Sequence, residues 1–333
     1  MEVREQQAIR TTLQVPVRAR WVIDIDCEEE IGEAIAFARS RNVPWLVLGE
    51  GSNVLFRGTG VLPVAILHLR MQTIRVLADG ARPLVQVAAG YRWHQFVEWT
   101  VAAGWWGIEN LALIPGNVGA APVQNIGAYG VELQDVLQSV RAYDTVAGQI
   151  VELSPEDCHF GYRSSVFKQH PDRWIITEIT VQLSRSPKPQ LHYPDLAALR
   201  ERPSLTSREV METIIRIRRR KLPDPQQLPN AGSFFKNPVL PRSRWEQLRQ
   251  EFPLMPGYPL PSGQVKIPAA WLIESCGWKG KRIGNAGISP NHAAIVVNYG
   301  VASGDEIVSL VERIQDSVQR TFGISLEPEV RIL

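Results

Sequence analysis

Cysteine and histidine are scarce in this chain, and neither is spaced for work that needs a pair. The three cysteines, Cys27, Cys158 and Cys276, are odd in number and far apart. A disulfide framework is therefore not the basis of the fold, and free thiols in a reducing cytoplasm are expected. The six histidines form no pair at metal-ligand spacing, so no metal site is expected. Long apolar runs are missing as well. No stretch approaches the roughly 18 apolar residues that cross a bilayer, and membrane insertion is not expected. The opening MEVREQQAIRTT is charged and has no apolar core, so no signal peptide is expected. Charge of one sign is also lacking. A net charge of +2 gives no field to draw nucleic acid or anionic lipid. No internal repeat, no Gly-x-x-x-x-Gly-Lys-Ser/Thr loop and no Gly-x-Ser-x-Gly elbow is present;.

What is present is an ordinary soluble composition over 333 residues, enough for two or three domains. The spacing of Ile31, Ala34, Ile35 and Ala38 predicts a helix from Asp26 to Ser40, with Asp26 as N-cap;. VPWLVLG reads as a buried strand, LVQVAAG (84–90) as another, and 91–103 as a helix stopped by Gly104;. A hairpin turns through Ala147-Gly148, and WIITEITVQLS alternates like a half-buried strand;. A Pro-rich stretch (184–204) suggests a domain boundary near its end;. Beyond it, Thr206 with Glu209 and Ser303 with Glu306 are capping boxes, Pro268 stands as an N1 proline, and Gly277 and Gly323 are helix stops;. ISLEPEVRIL reads as a last strand. Helices and hairpins mixed in this order predict an α+β fold.

Several segments are candidates for chemistry. LVLGEGSNVLF (46–56) puts Gly49, Gly51, Ser52 and Asn53 directly after a strand. It is not a Rossmann fingerprint, because the third glycine position is Val54 and the run Val54, Leu55, Phe56 reads as extended rather than helical;. A phosphate-holding nest and a plain turn both remain open. IPGNVGAAPVQNIGAYG (114–130) is richer in small residues. It allows close backbone approach to a ligand, amides for a pyrophosphate, and the Gln124 and Asn125 side chains for a heteroaromatic ring; the alternative is a structural crossover. GYRSSVFK offers Arg163 in a polar turn. RIRRRKLPDP (216–225) is either an anion site or solvated charge at a helix end;. In LEPEVRIL, Glu327 and Glu329 lie two apart with Arg331 beside them, on one face of a strand, which is either a functional face or a solvent-exposed polar one;. NAGSFFKNP (230–238) places Ser233 where a turn contact, a ligand contact and a proton donor are all open readings;.

Taken together, LGEGSNVLF, IPGNVGAAPVQNIGAYG, FGYRSSVFK, KLPDP, NAGSFFKNP, KIPAAWLIESCGWKG and LEPEV resemble the UDP-N-acetylenolpyruvoylglucosamine reductase family, in its order and over nearly the whole chain. The resemblance implies an FAD-binding unit of the vanillyl-alcohol-oxidase/PCMH type over 15–185, in two α+β subdomains of about 15–70 and 71–185. It further implies a Tyr-bearing loop and linker over 186–205, a substrate-binding domain over 206–322, and a strand over 323–333 returning to the flavin. Thr11-Thr12-Leu13 stands where the family often has Asn-Thr-Phe/Leu. Ala120 and Ala121 replace serines that relatives can carry, so backbone contacts would replace hydroxyl ones.

The implied activity is NADPH-dependent, FAD-mediated reduction of the enolpyruvyl group of UDP-N-acetylenolpyruvoylglucosamine to UDP-N-acetylmuramate for peptidoglycan, with FAD held non-covalently. By the same resemblance Ser233 donates a proton, Arg163 stabilises the developing oxyanion, and Glu329 shares a hydrogen bond with the substrate carboxylate. Gly49, Gly51, Ser52, Asn53, Pro115, Gly116, Gly119, Gln124, Asn125, Gly127 and Arg331 match cofactor positions. Tyr193, Arg218, Lys221 and Asn237 match positions that bind the UDP-sugar. A cytoplasmic monomer is expected. The alternatives are another PCMH-type FAD-linked oxidase, which does not account for NAGSFFKNP and LEPEV, and a basic nucleic-acid module built on RIRRRK, which the near-neutral charge opposes.

Overall fold

A computed structural model describes residues 1–333. The chain divides into two compact units, each assembled from separated segments. The first holds Met1–Gln7, Arg18–Glu50 and Val61–Arg218; the second holds Ala8–Val17, Gly51–Gly60 and Arg219–Leu333.

In the first unit a four-stranded sheet has the order Glu2–Ala8, Val17–Ile25, Gly60–Leu69, Trp45–Val47. Strand Val17–Ile25 buries alternate residues at its start, as a strand with one face in the core should;. Helix Glu29–Ser40 lays Ile31, Ala34, Ile35 and Ala38 on Trp21, Ile23, Ala65 and Leu67, which is the face its 3.6-residue spacing predicts. Its start differs from the expectation. Glu28 is the N-cap, and Asp26 is instead drawn to Arg70 (2.6 Å). Strand Trp45–Val47, expected to be buried, is only half-buried and pairs in parallel with Ala65–Leu67.

A second sheet, of five strands, has the order Gln149–Leu153, Leu137–Asp144, Trp174–Gln182, Leu84–Ala88, Ile74–Ala78. The hairpin turns at Gly148, whose φ of +69° suits glycine;. Trp174–Gln182, expected to be half-buried, is the central strand, covered on both faces, with Ile175 and Ile176 both buried. Its polar positions Thr177 and Thr180 are buried too.

Helix Ser207–Lys221 carries the full Thr206/Glu209 box, with the Thr206 hydroxyl accepting from the Glu209 N–H and the Glu209 carboxylate accepting from the Thr206 N–H. Val210, Met211, Ile214 and Ile217 sink into the same core cluster as Leu191, Leu196 and Leu199. The division between the two compact units falls inside this helix, between Arg218 and Arg219.

The second unit has an antiparallel sheet ordered Asn230–Ser233, Ile295–Asn298, Ala286–Ile288, Arg282–Ile283, and a small sheet ordered Val239–Pro241, Gln264–Lys266, Tyr258–Pro259. Helix Gly304–Phe322 buries Val308, Val311, Ile314 and Val318. Removing one such side chain costs about 1–5 kcal/mol depending on its size. Its Ser303 cap is present, but the Glu306 carboxylate accepts from Asn285 N–H (2.6 Å) instead of closing the box. Gly304 is needed for packing, because a Cβ there would lie 1.8 Å from the Phe56 carbonyl oxygen. Pro268 is an N-cap rather than N1. The expected last strand is reduced to Arg331–Ile332, paired in parallel with Val54–Leu55.

Candidate active site

Ser233 closes the strand Asn230–Ser233, opposite Ile295. The chain just past it is fixed on two sides. Phe234 N–H donates to Ala294 O (2.8 Å), and Phe234 O accepts from Glu329 N–H (2.8 Å). Phe234 and Phe235 are buried, while Ser233 itself is exposed. The hydroxyl is thus carried on a rigid, apolar-backed segment and faces outward. Asn230 shapes the preceding turn by accepting the Gly232 N–H (2.9 Å), and Gly232 takes φ +71°.

The C-terminal segment is bound to the Gly51–Asn53 turn. Asn53 Nδ2 donates to Glu329 O (3.2 Å), and Arg331 N–H donates to Asn53 O (3.0 Å). Asn53, Ser233, Glu329 and Arg331, nearly 280 residues apart at the extremes, form one neighbourhood in the second unit. The even alternation expected over LEPEV does not hold: Pro328 bridges Phe235, Glu329 sits in a bend, and Glu327 turns out to Lys236. Gly51 is packed from below, where a Cβ would lie 2.6 Å from Arg10 O and 2.9 Å from Thr11 Cα. Beside it the hydroxyls of Thr11 and Thr12 are sealed from solvent with no hydrogen-bond partner. Sequence reasoning noted these threonines only as a departure from a pattern.

In the same unit Lys221 is half-buried. It lies close enough to His292 that burial first, then Lys221 and Lys279, hold that imidazole below its usual pKa, with Glu274 opposing. Asn237 is not wholly available for a ligand, since its Oδ1 accepts the Ala269 N–H (2.9 Å) at the start of a helix.

The first unit holds the glycine-rich loop. It is built as two short 3-10 turns, Val118–Ala120 and Pro122–Gln124. Its amides are largely engaged inside the protein. Gly116 N–H goes to Glu50 Oε2 (2.8 Å), Val118 N–H to Tyr91 O and Gly119 N–H to Ala89 O. These three amides therefore bond to neighbouring segments of the protein. Two residues that the sequence did not single out brace the loop. Asn117 accepts the Glu50 N–H and donates to Gly90 O, both at 2.8 Å. The Glu50 carboxylate also pairs with Arg92 (3.0 Å). A Cβ at Gly49 would lie 2.1 Å from Asn117 Oδ1, so any larger residue there would push the Asn117 side chain out of its place.

The two amide side chains expected to serve a ring both have protein partners. Asn125 is fully buried; its Nδ2 donates to Glu132 (2.9 Å) and its Oδ1 accepts the Gln134 N–H (3.0 Å). Gln124 Oε1 accepts from Lys168 Nζ (2.7 Å). Pro115, Gly116 and Gly127 lie in the loop as expected, and Arg163 Nη2 donates to Gly127 O (2.7 Å). Asn125, Tyr129 and Arg163 all hold left-handed backbone, with φ of +44°, +50° and +53°. Such conformations cost of order 1 kcal/mol or more each and gather at functional sites.

Tyr193 is exposed and packs edge-to-face on Tyr129, with centroids 5.2 Å apart. Arg218 is half-buried; its Nε is shielded from solvent and unpartnered, and burial lowers its pKa while the nearby Tyr129 opposes the shift. A cavity of about 590 Å³ in this unit lies elsewhere, among Asp26, Glu28, Arg70, Arg75, Arg141 and Glu178. Its charges close on one another, as in Arg141–Glu28 (2.8 Å) and Arg75–Glu178 (2.7 Å), and none of the expected site residues lines it.

Comparison with known proteins places these features in a family context. Residues 19–154 match the family described as FAD binding domain, and residues 224–333 match UDP-N-acetylenolpyruvoylglucosamine reductase, C-terminal domain. The chain is 44% identical over 335 residues to the UDP-N-acetylenolpyruvoylglucosamine reductase of Pseudomonas aeruginosa, covering 99% of this chain and 98% of that protein. It is 44% identical to the reductase of that name from Xanthomonas axonopodis pv. citri, with 100% and 96% covered. The crystal structure of UDP-N-acetylenolpyruvylglucosamine reductase from Thermus caldophilus superposes with a TM-score of 0.69 at 26% identity, covering 99% of each chain.

Proposed function

The chain belongs to the UDP-N-acetylenolpyruvoylglucosamine reductase family, and on that premise we propose how its residues divide the work. It is an FAD-dependent oxidoreductase that uses NADPH to reduce the enolpyruvyl group of UDP-N-acetylenolpyruvoylglucosamine, giving UDP-N-acetylmuramate for peptidoglycan. The rival reading, a different FAD-linked oxidase, is not favoured, because the family match takes in residues 224–333, where Ser233 and Glu329 lie.

The residues fit the cofactor. The orphaned Thr11 and Thr12 hydroxyls beside the Gly51 turn suit an oxygen-rich ligand;. Gly49, Gly51, Ser52 and Asn53, with Arg331 docked on Asn53, and Pro115, Gly116, Gly119, Gln124 and Gly127 are proposed to hold it by close approach, and Asn125 by fixing the loop's shape. Bound FAD supplies two-electron transfer from NADPH to the vinyl group of the substrate.

The chain's own residues handle protons, charge and position. Ser233 is proposed to deliver a proton to the substrate carbon beside the carboxylate. A hydroxyl is a weak acid, but the carbon it serves is strongly basic, so placement decides. The observation that carries this assignment is the fixing of Phe234 on both sides, to Ala294 and to Glu329. Arg163 would stabilise charge developing on the substrate carboxylate, and Glu329 would hydrogen-bond that carboxylate. Tyr193, Arg218, Lys221 and Asn237 would bind the UDP-sugar. The unpartnered Nε of Arg218 gives it capacity for an anionic oxygen;.

We also propose a cytoplasmic monomer. Its three cysteines are free, and no helix is long and apolar enough to cross a membrane. The test is an assay of NADPH oxidation by the purified yellow protein. Oxidation that depends on the enolpyruvyl sugar nucleotide is expected. Oxidation that proceeds equally with dioxygen alone would favour the rival.

A further inference from the structure

Lys168 closes the GYRSSVFK segment that also carries Arg163. Gly161 and Ser164 exchange backbone bonds, each at 3.1 Å, across a two-residue turn of Tyr162 and Arg163. Arg163 holds φ +53° there, a left-handed backbone that a residue with a side chain keeps only where its surroundings impose it. Ser165, wholly buried, follows as N-cap of the helical turn Val166–Gln169. Its hydroxyl donates to Val123 O (2.6 Å) and accepts the Lys168 N–H (3.2 Å). The helical turn brings the half-buried Lys168 side chain back over Arg163. Lys168 Nζ donates to Gln124 Oε1 (2.7 Å) and to Arg163 O (3.2 Å). Arg163 in turn donates from Nη2 to Gly127 O (2.7 Å). Ser165, Lys168 and Arg163 thus each stitch this segment to the glycine-rich loop, and Lys168 joins the backbone of Arg163 to a side chain of that loop through one group.

From this geometry we propose that Lys168 is a positioning residue for the reduction, whose ammonium group locks Arg163 in its turn and fixes which end of the Gln124 amide is offered to the cofactor. The inference rests on the roles given to Arg163 and Gln124 above. An ammonium has donors and no acceptor, so only the oxygen end of an amide can sit against it. Gln124 Oε1 is thereby held on Lys168, while its Nε2 makes no hydrogen bond to the protein. Gln124 then serves the flavin ring as a donor, to a carbonyl oxygen or an unprotonated nitrogen, and not as an acceptor. The bond to Arg163 O acts on the other partner. A guanidinium stabilises charge developing on a substrate only if it stands in place beforehand, and a turn that had to reorder during the reaction would forfeit that stabilisation. The stem of Lys168 crosses from one partner to the other, so a change at this residue disturbs both.

The test is a double-mutant cycle on the FAD-loaded enzyme, with Lys168→Met, which keeps an unbranched side chain without the charge, and Arg163→Ala made singly and together. In Lys168→Met the flavin content should be unchanged, and reduction of the flavin by NADPH should stay within about threefold of the parent chain. Its reoxidation by the enolpyruvyl substrate should slow about 10–100-fold, the scale of one or two charge-assisted bonds. In the Arg163→Ala background the same change should slow reoxidation by less than about threefold, because Lys168 acts mainly through the arginine. Lys168→Arg should recover part of the rate, since a guanidinium also donates to two acceptors. Loss of flavin, equal slowing of both half-reactions, an unchanged reoxidation rate in Lys168→Met, or additive effects of the two substitutions would overturn the inference. An unchanged reoxidation rate in Arg163→Ala would instead overturn the role given to Arg163. Trypsin, which cuts after arginine, separates the two cases without reference to activity. Cleavage after Arg163 that is several-fold faster in Lys168→Met upholds the lock whatever Arg163 does for the substrate, and unchanged cleavage overturns it.

Discussion

Ser233 and Asn125 both lie in small-residue segments, and the structure treats them in opposite ways. Ser233 is exposed on a strand end held by its neighbours, whereas the Asn125 side chain is enclosed by Glu132 and Gln134. Sequence shows that a polar side chain sits in a tight loop; it does not show whether the partners around it are protein or ligand. The proposed proton donor makes a sharp prediction. Ser233→Ala leaves the Thr11-Thr12 and Gly51 surroundings intact, so FAD reduction by NADPH should stay near normal. Transfer to the enolpyruvyl substrate should slow by about 10²–10⁴-fold, the usual worth of a positioned acid. Stopped-flow measurement of the two half-reactions checks this. Equal slowing of both would make Ser233 a shaping residue, and slowing of neither would return it to a turn contact. A cysteine in its place should recover part of the rate, because a thiol also donates.

Elements were legible where local periodicity and caps decide them. Helices Glu29–Ser40, Ser207–Lys221 and Gly304–Phe322 bury the residues their spacing selects. The misreadings came from tertiary partners. Asp26 was taken by Arg70, Glu306 by Asn285, and strand Trp174–Gln182 gained a second buried face from its central position. The hairpin Leu137–Asp144/Gln149–Leu153 shows what such a partner does. Asp144 is buried at its turn, where it accepts from Val146 N–H (2.9 Å) and from Arg173 Nη2 (2.8 Å). The Arg173 hydrogen bond, despite desolvation, holds the carboxyl below its usual pKa, with the turn amides helping. A depressed carboxylate pKa stabilises the fold above the unfolded-state value, near 4, and that contribution is lost as pH falls through the lower folded value. Asp144→Asn should therefore lower the melting temperature at pH 7 by about 2 °C or more. The deficit should shrink on acidification below about 4. Melting curves of both proteins from pH 7 to 3 test it, and a deficit independent of pH would remove the ionic account.

At the scale of the whole molecule, the α+β class and the order of motifs were readable, but the assembly of the second unit was not. Nothing local in residues 8–17 or 51–60 says that they belong with the segment that begins at Arg219. Those ties are two backbone contacts and one side-chain bond, and no local pattern marks any of them. Asn230 N–H donates to Thr12 O (3.0 Å), Asn298 Nδ2 to Leu13 O (2.9 Å), and Arg331–Ile332 pairs with Val54–Leu55. Asn230 and Asn298 are both buried, so removing their partners would leave polar groups unsatisfied in the core, at about 1–3 kcal/mol each. A domain's whole margin is only about 5–15 kcal/mol. The segment 219–333, expressed alone, would lose the Thr12 and Leu13 carbonyls, the Val54–Leu55 strand and the Phe56 surface on which Gly304 packs. It should not show a cooperative thermal transition by circular dichroism, although it contains every residue of the reductase C-terminal match. The full chain should melt cooperatively, and at higher temperature with added FAD, since a ligand bound only by the folded form stabilises it. A fragment 219–333 that unfolds in one sharp step would show that the two short N-terminal segments are ornaments on the unit rather than part of its core.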